Sequence, residues 1–139
     1  MDPTGPHLSV ATICERVLTE QDSVLSAIRM VDRVTFALGD EGEPINPQYA
    51  ITILVVLRAG AARGTFNLEI RRESPSGEES VVLGAPVHLE GEERGASIVI
   101  GTMFAPDHAG LYWYDVYFEG ERLTRMPLRA VFQPQMTTG

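Results

Sequence analysis

Apolar and polar residues alternate most cleanly over 65–72, where Phe66, Leu68 and Ile70 point one way and Asn67, Glu69 and Arg71 the other. A period of two is the signature of a strand with one buried face. The stretch 111–118 repeats it with aromatic residues, which suit a pleated surface. Tyr112, Tyr114, Val116 and Phe118 share an uncharged face, which is assigned to the core, and Leu111, Trp113, Asp115 and Tyr117 share the other. Residues 49–57 are almost uninterruptedly apolar and rich in β-branched side chains, which predicts a central strand buried on both faces. Residues 81–83 and 87–89 read as a strand broken near Gly84-Ala85-Pro86, at an edge or a bulge because proline cannot donate to a ladder. Residues 97–104 form a further strand. A tight reversal at Glu119-Gly120 leads into a returning strand over 122–132, in which Pro127 also asks for an edge or a bulge. Ser74-Pro75-Ser76-Gly77 is a turn, proline presetting φ and glycine admitting a positive one.

Two periods compete between residues 9 and 38. Ile13, Val17, Val24, Ile28 and Val31 fit one face of a helix. Val10, Thr12 and Cys14, with Leu25, Ala27, Arg29 and Val31 beyond a turn at Gln21-Asp22-Ser23, fit paired strands. The β-hairpin is the reading adopted, with the helix over 13–31 as the alternative. The whole pattern then holds seven or eight short strands with regularly spaced turn signals and no βαβ alternation, which means a sandwich or barrel.

Gly110-Leu111-Tyr112 resembles the Gly-x-Tyr element that opens strand F of immunoglobulin-like sandwiches, where the tyrosine hydroxyl bonds back to the backbone and locks a corner between sheets. Tyr114 stands where an antibody domain has its second cysteine, and the acid, Asp107, lies one residue farther away than in the common pattern. The expected fold is therefore all-β: a single antiparallel immunoglobulin-like β-sandwich over residues 9–132, with a flexible N-terminus at 1–8 and a flexible tail at 133–139. Three groups of segments carry a wider resemblance: Ile13-Cys14-Glu15 with Leu25-Ser26-Ala27-Ile28; Gly64-Thr65-Phe66-Asn67-Leu68 with Pro75-Ser76-Gly77; and 110–116 with Gly120 and Pro127-Leu128. Together they are similar to a family of uncharacterised bacterial β-sandwich proteins, classed as a domain of unknown function. The resemblance implies a fold and a bacterial cytoplasmic setting, and no activity.

Composition narrows the classes further. At 139 residues with 44% hydrophobic content, the chain can build a core without metal or disulfide. The lone Cys14 permits no internal disulfide, which favours a reducing compartment. The N-terminus lacks the basic start of a signal peptide, and no apolar run reaches the ~18–20 residues of a membrane span. A net charge of −8, from 19 acids and 11 bases, disfavours nucleic acid.

Catalytic chemistry finds no motif. His7, His88 and His108 are scattered, and Cys14 has no nearby Cys or His, so neither a metal site nor a cysteine nucleophile is expected. The acidic loop 39–48 lacks EF-hand spacing. Glu78-Glu79 and Glu92-Glu93 read as solvated turn residues rather than a glycosidase pair, and phosphate-loop, dinucleotide and nucleophile-elbow signatures are absent. No catalytic, cofactor or metal residue is assigned. The remaining candidates are Leu111, Trp113 and Tyr117, on the face opposite the core, since exposed aromatics mark binding hot spots. A loop, the N-terminal segment or a two-fold partner has to cover them. The expected function is a non-enzymatic interaction or assembly module with a protein partner, a second copy of the chain being one candidate. The alternatives are a small-ligand or carbohydrate binder using Trp113 and Tyr117, and an enzyme without a recognisable motif.

Overall fold

Alternation of this kind needs a second apolar face to bury against, and the chain supplies two sheets. The computed structural model describes residues 5–134, and no helix occurs among them. The expectations for residues 1–4 and 135–139 lie outside the described residues. Nine strands are present: β1 (His7–Thr19), β2 (Leu25–Met30), β3 (Arg33–Leu38), β4 (Tyr49–Arg58), β5 (Arg63–Glu73), β6 (Glu79–Glu90), β7 (Gly95–Phe104), β8 (Gly110–Phe118) and β9 (Glu121–Pro134). They pair as a four-stranded sheet, β2-β1-β4-β7, and a five-stranded sheet, β3-β9-β8-β5-β6, the two layers of a β-sandwich. Strands begin at His7 and end at Pro134, two residues beyond each expected boundary.

The hairpin reading of the N-terminal third is correct as far as β2. β1 and β2 pair antiparallel from Thr19↔Leu25 to Cys14↔Met30, around a turn where the Ser23 amide donates to the Glu20 carbonyl at 3.0 Å. The next strand was not expected to be separate, which is why the count is nine and not seven or eight. β3 leaves for the other sheet and pairs β9 in parallel, from Arg33↔Arg129 to Leu38↔Pro134, so the sandwich is not wholly antiparallel. Only Val31 and Asp32 make the crossing. The Val31 amide donates to Ile13 in one sheet at 2.8 Å, and the Asp32 carbonyl accepts from the Arg129 amide in the other at 2.9 Å. Both residues are used in stepping across, and none is left to reverse the chain.

The core is the set of inward positions read from the alternation. Ile51, Ile53, Val55 and Leu57 of β4 are at most 1% exposed, as are Tyr112, Tyr114 and Val116 of β8 and Leu128 of β9. Burying an aliphatic side chain of this size stabilises by about 1.5–3 kcal/mol. Phe104 of β7 sets its ring edge-on to Tyr112 of β8 at 5.2 Å and 86°, joining the sheets in a geometry favoured by the ring quadrupoles. β4 was expected to be buried on both faces. Its outer face is covered at Leu54 and half-covered at Thr52 and Val56, but Ala50 is exposed.

Both prolines sit where a missing donor costs little. Pro86 lies in β6, the edge of its sheet, and the strand runs unbroken through it. Pro127 pairs with Trp113 of β8, while β3 joins β9 only from Arg129 onward, so at Pro127 β9 is still an edge. The β8–β9 reversal uses Glu119 and Gly120 at φ 49° and 80°, the paired positive values that a two-residue hairpin requires. At the start of β8 the Tyr112 hydroxyl donates to the His108 carbonyl at 2.9 Å.

The buried hydroxyl of Tyr114 makes stability depend on alkaline pH. Burial pushes its pKa above the ordinary 10.0 and that of the Cys14 thiol above 9.0. Below those values both states are protonated and the effect is nil. As pH rises through them, the unfolded chain releases protons that the folded chain retains, and stability falls. The urea midpoint is therefore expected to be level through neutral pH and to drop above about pH 9–10. The drop should shrink in Tyr114→Phe, and a level midpoint at high pH would contradict the assignment.

Candidate functional site

The outer face of the five-stranded sheet carries the residues singled out from sequence. Register places Glu73, Trp113 and Pro127 in one row, and Arg71, Asp115 and Arg125 in the next. Asp115 is 1% exposed, although it points away from the core. Arg125 explains this: its Nε donates to Asp115 Oδ1 at 2.8 Å and its Nη2 to Glu73 Oε2 at 2.6 Å. The same guanidinium lies 4.6 Å from the Trp113 ring centroid. Arg71 stands 3.9 Å over the Tyr117 ring while pairing with Glu69. Charge and quadrupole thus stack alternately along the face. The Asp115 and Glu73 carboxylates, Asp115 foremost, hold the Arg125 guanidinium further above its usual pKa.

Trp113, Tyr117 and Leu111 are each half-buried. The cover expected from a loop, the N-terminal segment or a second chain comes, for the two rings, from arginine side chains of the neighbouring strands. Sequence reading found the aromatics and missed Arg71 and Arg125. The available signal was their alternation parity, which puts Arg71 on the outer face of β5, and the return of β9 opposite β8.

The outer face of the four-stranded sheet was not singled out from sequence. Its central rows are Val10, Val56 and Ser97; Thr12, Leu54 and Val99; and Cys14, Thr52 and Gly101, with Met30 flanking Cys14, and Arg58 and Arg16 stand at the two ends. None of the residues in the central rows is charged. Val10, Met30, Val99 and Met103 are among the large apolar residues left exposed. Their signal was present in the period-two pattern of 10–14 and 97–103, where both parities are apolar or uncharged.

Other groups stay apart. A cleft of about 470 Å³ under β2 and β3 is bordered by Arg29, Thr35, Gln48 and Tyr49. There the Tyr49 hydroxyl donates to Glu15 Oε1, and Arg29 Nε lies 3.2 Å from the same oxygen. The hydrogen bond to Glu15, then burial, push the Tyr49 pKa up, so the phenol stays protonated at neutral pH. Cys14 Sγ sits in the sheet, 3.5 Å from the Arg16 carbonyl oxygen, buried. His7 lies 3.6 Å from Glu93, His88 beside Thr65, and His108 in the turn before β8. Among the described residues no three His, Cys, Asp or Glu side chains converge as metal ligands.

No family model matches the sequence, and no curated protein matches it. Among solved structures, a β-glucosidase from Listeria innocua in complex with gluconolactone is similar with a TM-score of 0.54 at 7% identity, over 75% of this chain and 15% of that one. A CARDB domain from Pyrococcus furiosus, in complex with di-metal ions, is similar with a TM-score of 0.51 at 12% identity, over 96% of this chain and 100% of that domain. The chain thus spans about 15% of the length of the glucosidase. At these identities the likeness is one of fold, that of a β-sandwich.

Proposed function

We propose that the chain is a non-enzymatic protein-interaction or assembly module, an immunoglobulin-like sandwich working on a protein partner in a bacterial cytoplasm. The observation that carries the reading is the uncharged central part of the outer face of the four-stranded sheet, between Arg16 and Arg58 at its ends and exposed at Val10, Met30 and Val99, in a chain with 30 charged residues, 19 acidic and 11 basic. Exposed apolar patches of this kind mark sites of protein association. The Tyr112–His108 bond supports the immunoglobulin-like arrangement, in which such a tyrosine bonds back to the backbone at a corner between sheets. The cytoplasmic, bacterial setting comes from the family resemblance, and the single buried thiol is compatible with it. Nucleic acid and membrane are disfavoured as partners by the net charge of −8.

A carbohydrate platform needs an open ring face, and Trp113 and Tyr117 offer guanidinium-capped ones. Leu111, Trp113 and Tyr117 enter the proposal as a secondary contact, through their exposed edges. For an enzyme, the phenol in the 470 Å³ cleft would have to act as a base, and its raised pKa opposes that. The glucosidase likeness covers a small part of that enzyme, and the metals of the CARDB domain have no matching ligand cluster among the described residues.

The test is the mass at which the protein travels in extract of its own cells. Wild type is expected to run above the mass of the free chain. Val10→Glu with Met30→Glu, both at exposed positions, should return it to that mass while leaving the fold intact by circular dichroism. A wild type that already runs at the free-chain mass overturns the reading.

A further inference from the structure

The two sheets end in four edge strands, and these are unequal. β2 has six residues and is interrupted by Arg29 at φ 55°. β3 also has six and opens on Arg33. β6 carries Gly84 and Pro86 and has Glu79 and Glu90 at its ends. β7 differs from all three. Its ten residues include no charge and no proline, and they pair with β4 residue for residue, from Arg58↔Gly95 to Tyr49↔Phe104, with no shift in register. Natural sheets blunt their edges with charges, prolines, bulges or shortness, because a row of unpaired N–H and C=O groups is a template for another strand. β7 has none of these devices.

We propose that β7 is a self-association edge: the β7 strands of two copies pair antiparallel about a two-fold axis and join two four-stranded sheets into one of eight. The proposal deepens the assembly reading above and rests on it for its biological sense. Three observations select a second copy as the occupant. Backbone donors and acceptors ask for another strand, and an antiparallel strand on a two-fold axis is complementary to itself. β7 itself and the central rows of the outer face beside it are uncharged, so nothing there recognises a charged partner, and along the paired strands two chains of net charge −8 set no carboxylate opposite another. The side chains also fit large against small. With Ile100 on the axis, Val99 lies opposite the partner's Gly101, and Met103 opposite the partner's Ser97. Val99 and Met103 are 48% and 51% exposed, and a Cβ built at Gly101 meets no atom within 4 Å, which leaves a hollow for the incoming valine. The register keeps outer-face residues on one continuous uncharged surface, since side chains alternate with period two.

Edge pairing buries less than the ~800 Å² per partner of a standard interface, so the dimer is expected to dissociate on dilution. In sedimentation velocity from ~1 to ~100 µM the wild type should pass from monomer to dimer, within the range of transient complexes. Val99→Lys and Gly101→Lys, each made alone, should weaken dimerisation at least ~10-fold by setting a cation on the edge. Val81→Lys, on the β6 edge and 61% exposed in the monomer, should dimerise as wild type does. Amides of 96–104 should exchange more slowly at the high concentration than at the low one. A wild type that stays monomeric at ~100 µM overturns the inference, as do lysine variants at 99 and 101 that are folded and dimerise unchanged, or a Val81→Lys that dissociates equally. If the pure protein is monomeric yet its native complex is still dissolved by Val10→Glu with Met30→Glu, this inference fails and the assembly reading stands. If the pure protein dimerises and runs at dimer mass in extract, unaffected by those two substitutions, this inference stands and the outer face of the four-stranded sheet is not the surface that carries assembly.

Discussion

Arg125→Ala is expected to destabilise the domain by about 3–5 kcal/mol, the cost of leaving a buried charge without its partner. Asp115 is 1% exposed, and its Oδ2 has no hydrogen-bond partner among the described residues. The bond from Arg125 Nε to Oδ1 at 2.8 Å is thus what compensates its carboxylate. Removing the guanidinium also uncovers one side of Trp113 and strands Glu73, although Glu73 is partly solvated and loses little. The loss is a fraction of total stability large enough to unfold many domains of this size at physiological temperature. Chemical denaturation should show the urea midpoint falling without a change in slope.

A second substitution separates the charge from the packing. Asp115→Asn alone leaves Arg125 paired with Glu73 and should cost less than Arg125→Ala, because the remaining cation is 28% exposed and reaches solvent. The double variant Arg125→Ala, Asp115→Asn should then be more stable than Arg125→Ala alone, a non-additivity expected of groups in one network. Additive losses would mean that Asp115 is not held by Arg125, and that Trp113 packing dominates the face.

Much of this fold was legible along the chain because the face assignments follow a local rule. The parity of 112, 114, 116 and 118, the turn at 119–120 and the alternation of 66–71 depend only on side-chain period and turn chemistry, and each is found in the structure. The crossing at Val31-Asp32 was not legible, since it carries neither glycine nor proline, and its two hydrogen bonds run to Ile13 and Arg129, far away in sequence. The cover over Trp113 and Tyr117 was illegible for the same reason. It depends on which strands flank β8, and that order is a property of the assembled sheet. Alternation told the outer face of β8 from the inner one but did not reveal that arginines at 71 and 125 would make an aspartate on that outer face as buried as a core residue. Likewise, β4 looked like a strand covered twice because its outward residues are mostly apolar, although Ala50 and the neighbouring Val10, Val99 and Met103 are left exposed. That excess of apolar character over the cover available is the feature on which the assembly proposal stands.

Gly110→Ala is expected to cost about 2–4 kcal/mol, from two sources that can be measured apart. Gly110 opens β8 at φ 140°, a conformation that an L side chain adopts only with strain. A Cβ built there would also lie 2.9 Å from Pro75 Cγ and 3.1 Å from Pro75 Cβ, and a rigid pyrrolidine ring cannot swing aside as a flexible side chain would. The position matters because the adjoining turn holds the His108 carbonyl for the Tyr112 hydroxyl, so a displaced Gly110 loosens the corner as well. Pro75→Gly, which removes both atoms where alanine would keep the Cβ, should remove most of the steric part, so that Gly110→Ala costs roughly 1–2 kcal/mol less in that background than in the wild type, while the backbone strain remains. An equal cost of Gly110→Ala with and without Pro75 would assign the whole cost to φ. A Gly110→Ala variant as stable as wild type would show that the chain can enter β8 along another path, and would remove the physical reason for glycine in the Gly-Leu-Tyr element.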